Sequence, residues 1–157
     1  MIQRPQSIFL LLAAMALGSL FLPSLSFTEI DYAMQSQPEA LQATSHADGV
    51  FNIMDHITLV ILAALGGLIS LIAIFIFSNR NRQKLLSRMA IVLTILLAGA
   101  AIFYFYLDYA VIDQISGLEV DPSLGLINPI LALIFLILAI RFINKDEKLV
   151  RSMDRLR

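Results

Sequence analysis

The sequence has no cysteine and no tryptophan, and it has few charged residues. Without cysteine the chain cannot form a disulfide, a thiolate nucleophile, an iron–sulfur cluster or a cysteine-ligated zinc site. Without tryptophan, any aromatic anchoring at a membrane interface must come from Tyr and Phe. Of its 157 residues, 15% are charged and 59% are hydrophobic, whereas soluble domains are about a quarter charged and about half apolar. One soluble core of this size could not bury so much apolar surface, so the composition predicts a membrane protein.

Four long segments carry almost no charge, and each is predicted to be a membrane-spanning helix. A helix needs about 20 apolar residues to cross a hydrocarbon core of about 30 Å. The predicted spans cover about 8–27, 57–77, 89–109 and 124–142. Asn52, with Asp55 three residues later, is a candidate N-cap for the second span. From Ile130 onward there is no Gly or Pro, which predicts that the last helix continues beyond the membrane.

The first segment also has some features of a cleavable signal peptide. Arg4 precedes the apolar run, and Ser24 and Ser26 form a weak small-x-small pattern after it. Signal peptides have a shorter apolar region, about 7–15 residues, and usually end in a site of the A-x-A kind. The run here is longer, so the segment is expected to be retained as a span.

The signs of the charges orient the predicted helices. The outer loops, at 28–56 and 108–123, carry acids and no Lys or Arg, whereas the N-terminus, the inner loop at 78–88 and the tail at 143–157 hold the basic residues, together with Arg141. Basic residues near span ends favour the cytoplasmic side. We therefore expect a single transmembrane domain, an all-α, integral membrane four-helix bundle with both termini in the cytoplasm (N-in/C-in) and a cytoplasmic extension of the last helix.

Small residues recur at fourfold spacing in the spans, for example Ala14 with Gly18 and Gly66 with Ser70. Such faces let helices approach closely in lipid. They predict either packing within the bundle or docking of a partner subunit. No ionisable residue lies in the middle of a span, which disfavours an ion-coupled carrier, although a passive pore lined by neutral groups such as Ser70 and Thr94 stays open.

Few residues suggest chemistry. His46 and His56, with Asp48 and Asp55, are candidate metal ligands, but they read better as ordinary residues of an acidic loop. The run 103–106 with Tyr109 predicts an aromatic belt at the headgroups. The sequence predicts no catalytic residue, no metal and no cofactor. The bases of the inner loop fit lipid headgroups better than nucleic acid, since the loop is short and close to the membrane.

Three stretches at the predicted cytoplasmic side resemble motifs of a known family. They are the start M-I-Q-R-P-Q-S, the inner loop N-R-N-R-Q at 79–83 and the end K-D-E-K-L-V-R-S-M-D-R-L-R at 145–157. The chain is similar over essentially its whole length to small four-span inner-membrane proteins of Bacteroidota, classed as a domain of unknown function. The resemblance implies a multi-pass protein of the cell inner membrane and no known activity.

Orientation by charge requires only Lys or Arg near the spans, whereas these motifs also hold Gln, Asp, Glu and Ser at set positions. We therefore expect these polar residues to contact each other or a partner protein. The acids of the tail are the natural counter-charges for Arg4, Arg80 and Arg82. The predicted cluster comprises Gln3, Arg4, Gln6, Arg80, Arg82, Gln83, Asp146, Glu147, Arg151, Asp154 and Arg155.

Three functions are open at this point. The first is a non-enzymatic accessory or scaffold subunit of an inner-membrane complex, which would contact the bilayer and other subunits. The second is a small transporter or pore, and the third is an enzyme that acts on lipid. The first is favoured by small size, by the scarcity of catalytic groups and by the specific cytoplasmic motifs.

Overall fold

The computed structural model describes residues 5–31, 44, 48–112 and 119–154, with Asp31, Glu119 and 151–154 described by their main chain. The described residues contain four α-helices: α1 (Pro5–Ser19), α2 (Ile57–Phe75), α3 (Arg80–Ile112) and α4 (Ile127–Asp154). Each helix packs on the next one along the chain, and α4 also packs on α1. The result is an up-and-down four-helix bundle, which confirms the predicted helical bundle, whereas its orientation in the membrane stays a prediction.

Three of these helices are long and apolar enough to cross a membrane, namely α2, α3 and the segment Leu124–Val150 that contains α4. Many large apolar side chains on them are exposed, such as Leu68 at 55% and Ile95 at 54%. In water such a surface would be unfavourable, whereas in lipid it is well solvated. Three apolar helices with lipid-compatible surfaces indicate a membrane protein.

The first helix is shorter than the predicted span of 8–27. It has 15 residues, and at 1.5 Å per residue it extends about 22 Å. Beyond Ser19 the chain makes tight turns, with the Phe21 and Leu22 N–H groups donating to the Gly18 and Ser19 carbonyls. Pro23 follows, and proline cannot donate a helical hydrogen bond. The apolar residues after the turns, including the buried Phe27, pack on the protein core rather than extending the helix.

The two predicted outer loops contain a small antiparallel sheet, which was not among the elements predicted from the sequence. Its strands are β1 (Thr28–Asp31), β2 (Val50–Phe51) and β3 (Glu119–Pro122), in the order β2-β1-β3. Glu29 pairs with Val50 on one side and with Asp121 on the other. Gly49, with a φ of 83°, precedes β2 in a backbone conformation that favours glycine. We call this end of the bundle the sheet end and the opposite one, where α3 begins, the basic end.

The connections between helices follow local signals. Asn52 and Asp55 form a capping box around a short 3-10 turn, Ile53–Asp55, which leads into α2; the predicted cap is therefore present, one turn ahead of the helix. After α2, Asn79 starts α3, because its side-chain oxygen accepts the Arg82 N–H at 3.2 Å and its carbonyl accepts the Gln83 N–H at 3.0 Å. The predicted inner loop is therefore mostly the first turns of α3.

The bundle interior consists largely of small and aliphatic side chains. Ala13, Ala63, Ala73, Ala90 and Ala139 are each no more than 1% exposed, so most of the small-residue positions serve packing between these four helices. The buried hydroxyls of Ser70 and Thr94 donate to carbonyls four residues earlier in their own helices, each at 2.8 Å. These hydroxyls are satisfied locally.

Candidate functional site

At the basic end, α4 is joined to the start of α3 by two polar contacts. Lys84 Nζ lies 2.6 Å from Glu147 Oε2, with side-chain exposures of 17% and 41%. Arg80 Nη1 donates to the main-chain carbonyl of Asp146 at 2.9 Å. The sequence had assigned carboxylates as counter-charges of Arg80 and Arg82; instead, Arg80 binds a carbonyl, and Lys84, which was not in the predicted set, forms the ion pair.

Gln83 is fully buried beneath these contacts. Its side-chain amide donates to the Ala73 carbonyl at 3.1 Å, an acceptor in the last turn of α2 that has no partner within its own helix. Ser87 Oγ donates back to the Gln83 carbonyl at 2.9 Å. Gln83 therefore links the end of α2 to the start of α3, which is a structural role that the motif alone did not reveal.

Gln6 is the second buried amide at this end, with 1% of its surface exposed. Within the described part of the chain, the Oε1 atoms of Gln6 and Gln83 accept no hydrogen bond. Close by along α1, Phe9 stacks on Phe142 of α4 at 5.2 Å between ring centroids. The start of α1 is thus fixed against α4 at the level of the polar contacts of α3.

The remaining members of the predicted cluster are placed as follows. Arg82 is exposed in the first turn of α3. Arg151 and Asp154 belong to the last turns of α4, where the main chain alone is described, and Gln3, Arg4 and Arg155 lie outside the described residues. The structure therefore brings Arg80 and Gln83 to the level of Asp146 and Glu147, and a role for the full set as one surface stays a prediction.

At the sheet end, Ser26, Glu29 and Ser123 form a polar group that sequence reasoning missed. Ser26 and Ser123 each donate to Glu29 Oε1, at 2.6 Å and 2.8 Å. These bonds, first that from Ser26, hold the pKa of the Glu29 carboxyl below its usual value. The two serines are 97 residues apart in the chain, so no local pattern could have indicated this contact. It joins the first outer segment to the second.

The acidic residues and histidines of this end do not assemble a metal site within the described chain: no group of three potential ligands is found there, and His46 lies outside it. His56 instead stacks on Tyr104, with ring centroids 3.7 Å apart and an interplanar angle of 12°. The Tyr104 hydroxyl donates to Thr58 Oγ1 at 3.2 Å. Burial raises the pKa of the neighbouring Asp55 carboxyl, partly offset by the bond from the Asn52 N–H.

The predicted aromatic belt divides into two groups. Phe103, Tyr106 and Tyr109 are exposed, at 58%, 72% and 44%, as expected for side chains at a membrane interface. Tyr104 and Phe105 pack against the core at the sheet end.

The protein is a small helical bundle, and three of its described helices are long and apolar enough to span a membrane. The chain belongs to the family described as domain of unknown function DUF4293, whose model matches residues 2–156. Comparison with curated proteins and with solved structures finds no match.

Proposed function

We propose that this protein is a non-enzymatic accessory or scaffold subunit of a bacterial inner-membrane complex, with its basic end in the cytoplasm. The observation that carries the proposal is the continuation of α4 beyond the Lys84–Glu147 contact. The chain enters α4 at Ile127 and leaves it at Asp154. From Arg141 onward the helix is rich in charge and continues for roughly four turns.

The last turns of α4 extend past the described starts of α1 and α3. Phe9 stacks on Phe142 and α1 runs antiparallel to α4, so Pro5 at the start of α1 lies about one turn further along, near Asp146. Arg80 at the start of α3 binds Asp146 as well. Residues after Glu147 therefore extend past the described starts of both neighbouring helices. Lys148 and Val150 are exposed there, and they offer a partner a mixed charged and apolar surface.

The packing of the bundle favours this function over a transporter or pore. In the described residues, the axis of the bundle is filled by alanines and by aliphatic side chains such as Leu10, Leu97 and Leu136, which are completely buried. The buried hydroxyls of Ser70, Ser87 and Thr94 bond to their own helices. A water-filled path requires polar groups that face a lumen, and these hydroxyls are already engaged.

The proposed orientation predicts which introduced cysteines react from outside the cell. Because the natural chain has no cysteine, a single substitution gives a signal without background. We expect a membrane-impermeant maleimide to label Met54→Cys in intact cells and to label Asn81→Cys only after permeabilisation, at least about tenfold more than before. Met54 and Asn81 are both exposed, at opposite ends of the bundle. The reverse pattern would refute the orientation.

The accessory role predicts a partner that depends on the last turns of α4. Full-length protein purified from native membranes in mild detergent should retain defined partner proteins, identified by mass spectrometry. Val150→Glu should reduce their recovery at least about tenfold. An unpaired polar group placed in an apolar contact costs on the order of 1–3 kcal/mol and a carboxylate costs more, while about 1.4 kcal/mol already changes an affinity tenfold. Met54→Glu, the same kind of change at the sheet end, should leave recovery unchanged. Purification of the native protein alone from several detergents, or equal loss in both variants, would contradict the proposal.

A further inference from the structure

An apolar groove lies beneath the sheet, between the second half of α3 and the start of α4. Its volume is about 490 Å³, within the range of about 300–1,000 Å³ that is usual for small-molecule sites. Of the residues that line it, Thr28 and Tyr109 carry a hydroxyl and none carries a charge. The walls include Ala98, Ala101 and Phe105 on α3, and Pro129 and Ile130 on α4.

Small residues face the groove from α3, and the start of α4 is held against the chain before β1. Ala98 and Ala101 leave space that longer side chains would fill. The position of α4 is fixed by close contact with the chain before β1, since the Gly125 N–H donates to the Ser26 carbonyl at 2.8 Å and the Ser123 N–H donates to the Phe27 carbonyl at 3.0 Å. Hydrogen-bonded main chain therefore fixes the side of the groove that the start of α4 forms.

The groove opens toward the lipid-compatible surface of the bundle. Ile102 and Ile130, which line it, are 66% and 58% exposed, and both belong to helices of membrane-spanning character. Tyr109 lies at the end of the groove nearest the sheet, where a phenol hydroxyl suits the headgroup level. In a bilayer an opening on this surface would face hydrocarbon, with Tyr109 toward the interface.

The apolar walls of the groove favour a hydrocarbon ligand over water or a peptide segment. Water in an apolar groove finds too few hydrogen-bonding partners to be held there. A peptide segment would leave backbone N–H and C=O groups unsatisfied against these walls, at a cost of several kcal/mol each in a lipid environment. A hydrocarbon tail has no polar group to satisfy, and in a bilayer it is the most concentrated apolar ligand.

We propose that this groove holds a single hydrocarbon tail of a membrane lipid, as a bound ligand distinct from the lipids that surround the bundle. The tail lies along Ala98, Ala101 and Phe105, with the polar part of the lipid beside Tyr109. The inference does not depend on the accessory role proposed above, and it is tested by a different measurement.

The test uses the full chain reconstituted in vesicles of phosphatidylethanolamine and phosphatidylglycerol. A trace of phosphatidylcholine with a diazirine in the part of one acyl chain nearer the headgroup is added, and the crosslinks formed under illumination are mapped by mass spectrometry. In the native protein we expect labelling around Phe105 and Ile130 to exceed that at the lipid-exposed Ile61 and Leu68 of α2 severalfold. Equal labelling at these positions would overturn the proposal, because surrounding lipid alone produces it.

Two variants separate filling of the groove from other effects. Ala98→Leu adds a side chain to the groove and should lower labelling near Phe105 about tenfold, consistent with the usual cost of overpacking. Gly99→Leu adds the same side chain one residue later, where a Cβ meets nothing within 4 Å, and should leave labelling unchanged. Undiminished labelling in Ala98→Leu, with native helicity in circular dichroism, would overturn the proposal. If Ala98→Leu does not fold, the distribution of labels in the native protein decides the question.

Discussion

Gly125→Ala is expected to be strongly destabilising, lowering the free energy of unfolding by about 3 kcal/mol or more. A Cβ at this position would lie 2.2 Å from the Ser26 carbonyl oxygen and 2.7 Å from its carbon. Both are main-chain atoms, so no side-chain rotation relieves the clash. The start of α4 must move, and the bond from the Gly125 N–H to Ser26 must break or lengthen.

The matched control is Gly99→Ala in the middle of α3. The added Cβ meets nothing within 4 Å, and alanine is favoured over glycine in a helix by roughly 0.5–1 kcal/mol. The control should therefore be neutral or slightly stabilising. Thermal unfolding in mild detergent, followed by far-ultraviolet circular dichroism, measures both. Equal melting temperatures for the two variants would show that the segment around Ser26 yields without cost, against the expectation of a rigid contact.

Ala63→Leu should destabilise the protein by roughly 1–3 kcal/mol, because it overpacks the centre of the bundle. Ala63 is 1% exposed and belongs to the core cluster that includes Leu17 and Leu97. Three added carbon atoms have no space there unless α2 moves away from its neighbours. The small-residue faces of α2 and α3 are close-packed, so the displacement would be shared along the helix.

Ala64→Leu provides the comparison, since it makes the same substitution one residue later, at a position that is half-buried. We expect a change within about 0.5 kcal/mol, as for substitutions away from the core. The same unfolding assay distinguishes the pair. If Ala64→Leu were the more destabilising of the two, its face of α2 would be the one that packs tightly, for example against a second protein chain.

Much of the fold could be read from the sequence. The apolar segments at 57–77 and 89–109 appear as α2 and as the central part of α3. The continuous helix after Ile130 appears as predicted and reaches Asp154. These features follow from local hydropathy and from the absence of helix-breaking residues, and both are properties of a segment on its own.

The sheet and the length of α1 were beyond such reasoning. Strands β1 and β3 pair at Glu29 and Asp121, residues from two segments that the sequence analysis had placed in separate loops. Each strand is at most four residues long and too short to show a clear alternation of polar and apolar residues. Residues 20–27 are apolar enough to form the end of the predicted first span. They turn back instead and pack on the core, where the ring centroids of Phe27 and Phe51 are 5.6 Å apart.

The candidate functional surfaces, namely the polar cluster at the basic end and the apolar groove, were likewise only partly predictable from the sequence. The sequence predicted a cluster of specific polar residues at the basic end. The structure brings Arg80 and Gln83 of that cluster to the level of Asp146 and Glu147. The sequence could not assign their contacts, because Lys84 and Glu147 are 63 residues apart and the choice among neighbouring bases depends on the rotation of α3 against α4. The apolar groove could not be predicted for the same reason, since its walls come from four separate parts of the chain.

The sequence by itself predicted a set of apolar helices with the basic residues on one side, because hydropathy and charge act on each segment independently. Only the tertiary structure decided which residues meet. It joined the two acidic segments into one sheet, turned residues 20–27 back onto the core, and opened a groove beneath Phe27 and Pro122. Those outcomes depend on long-range packing and hydrogen bonding, in which the partner of each group is fixed by the fold as a whole.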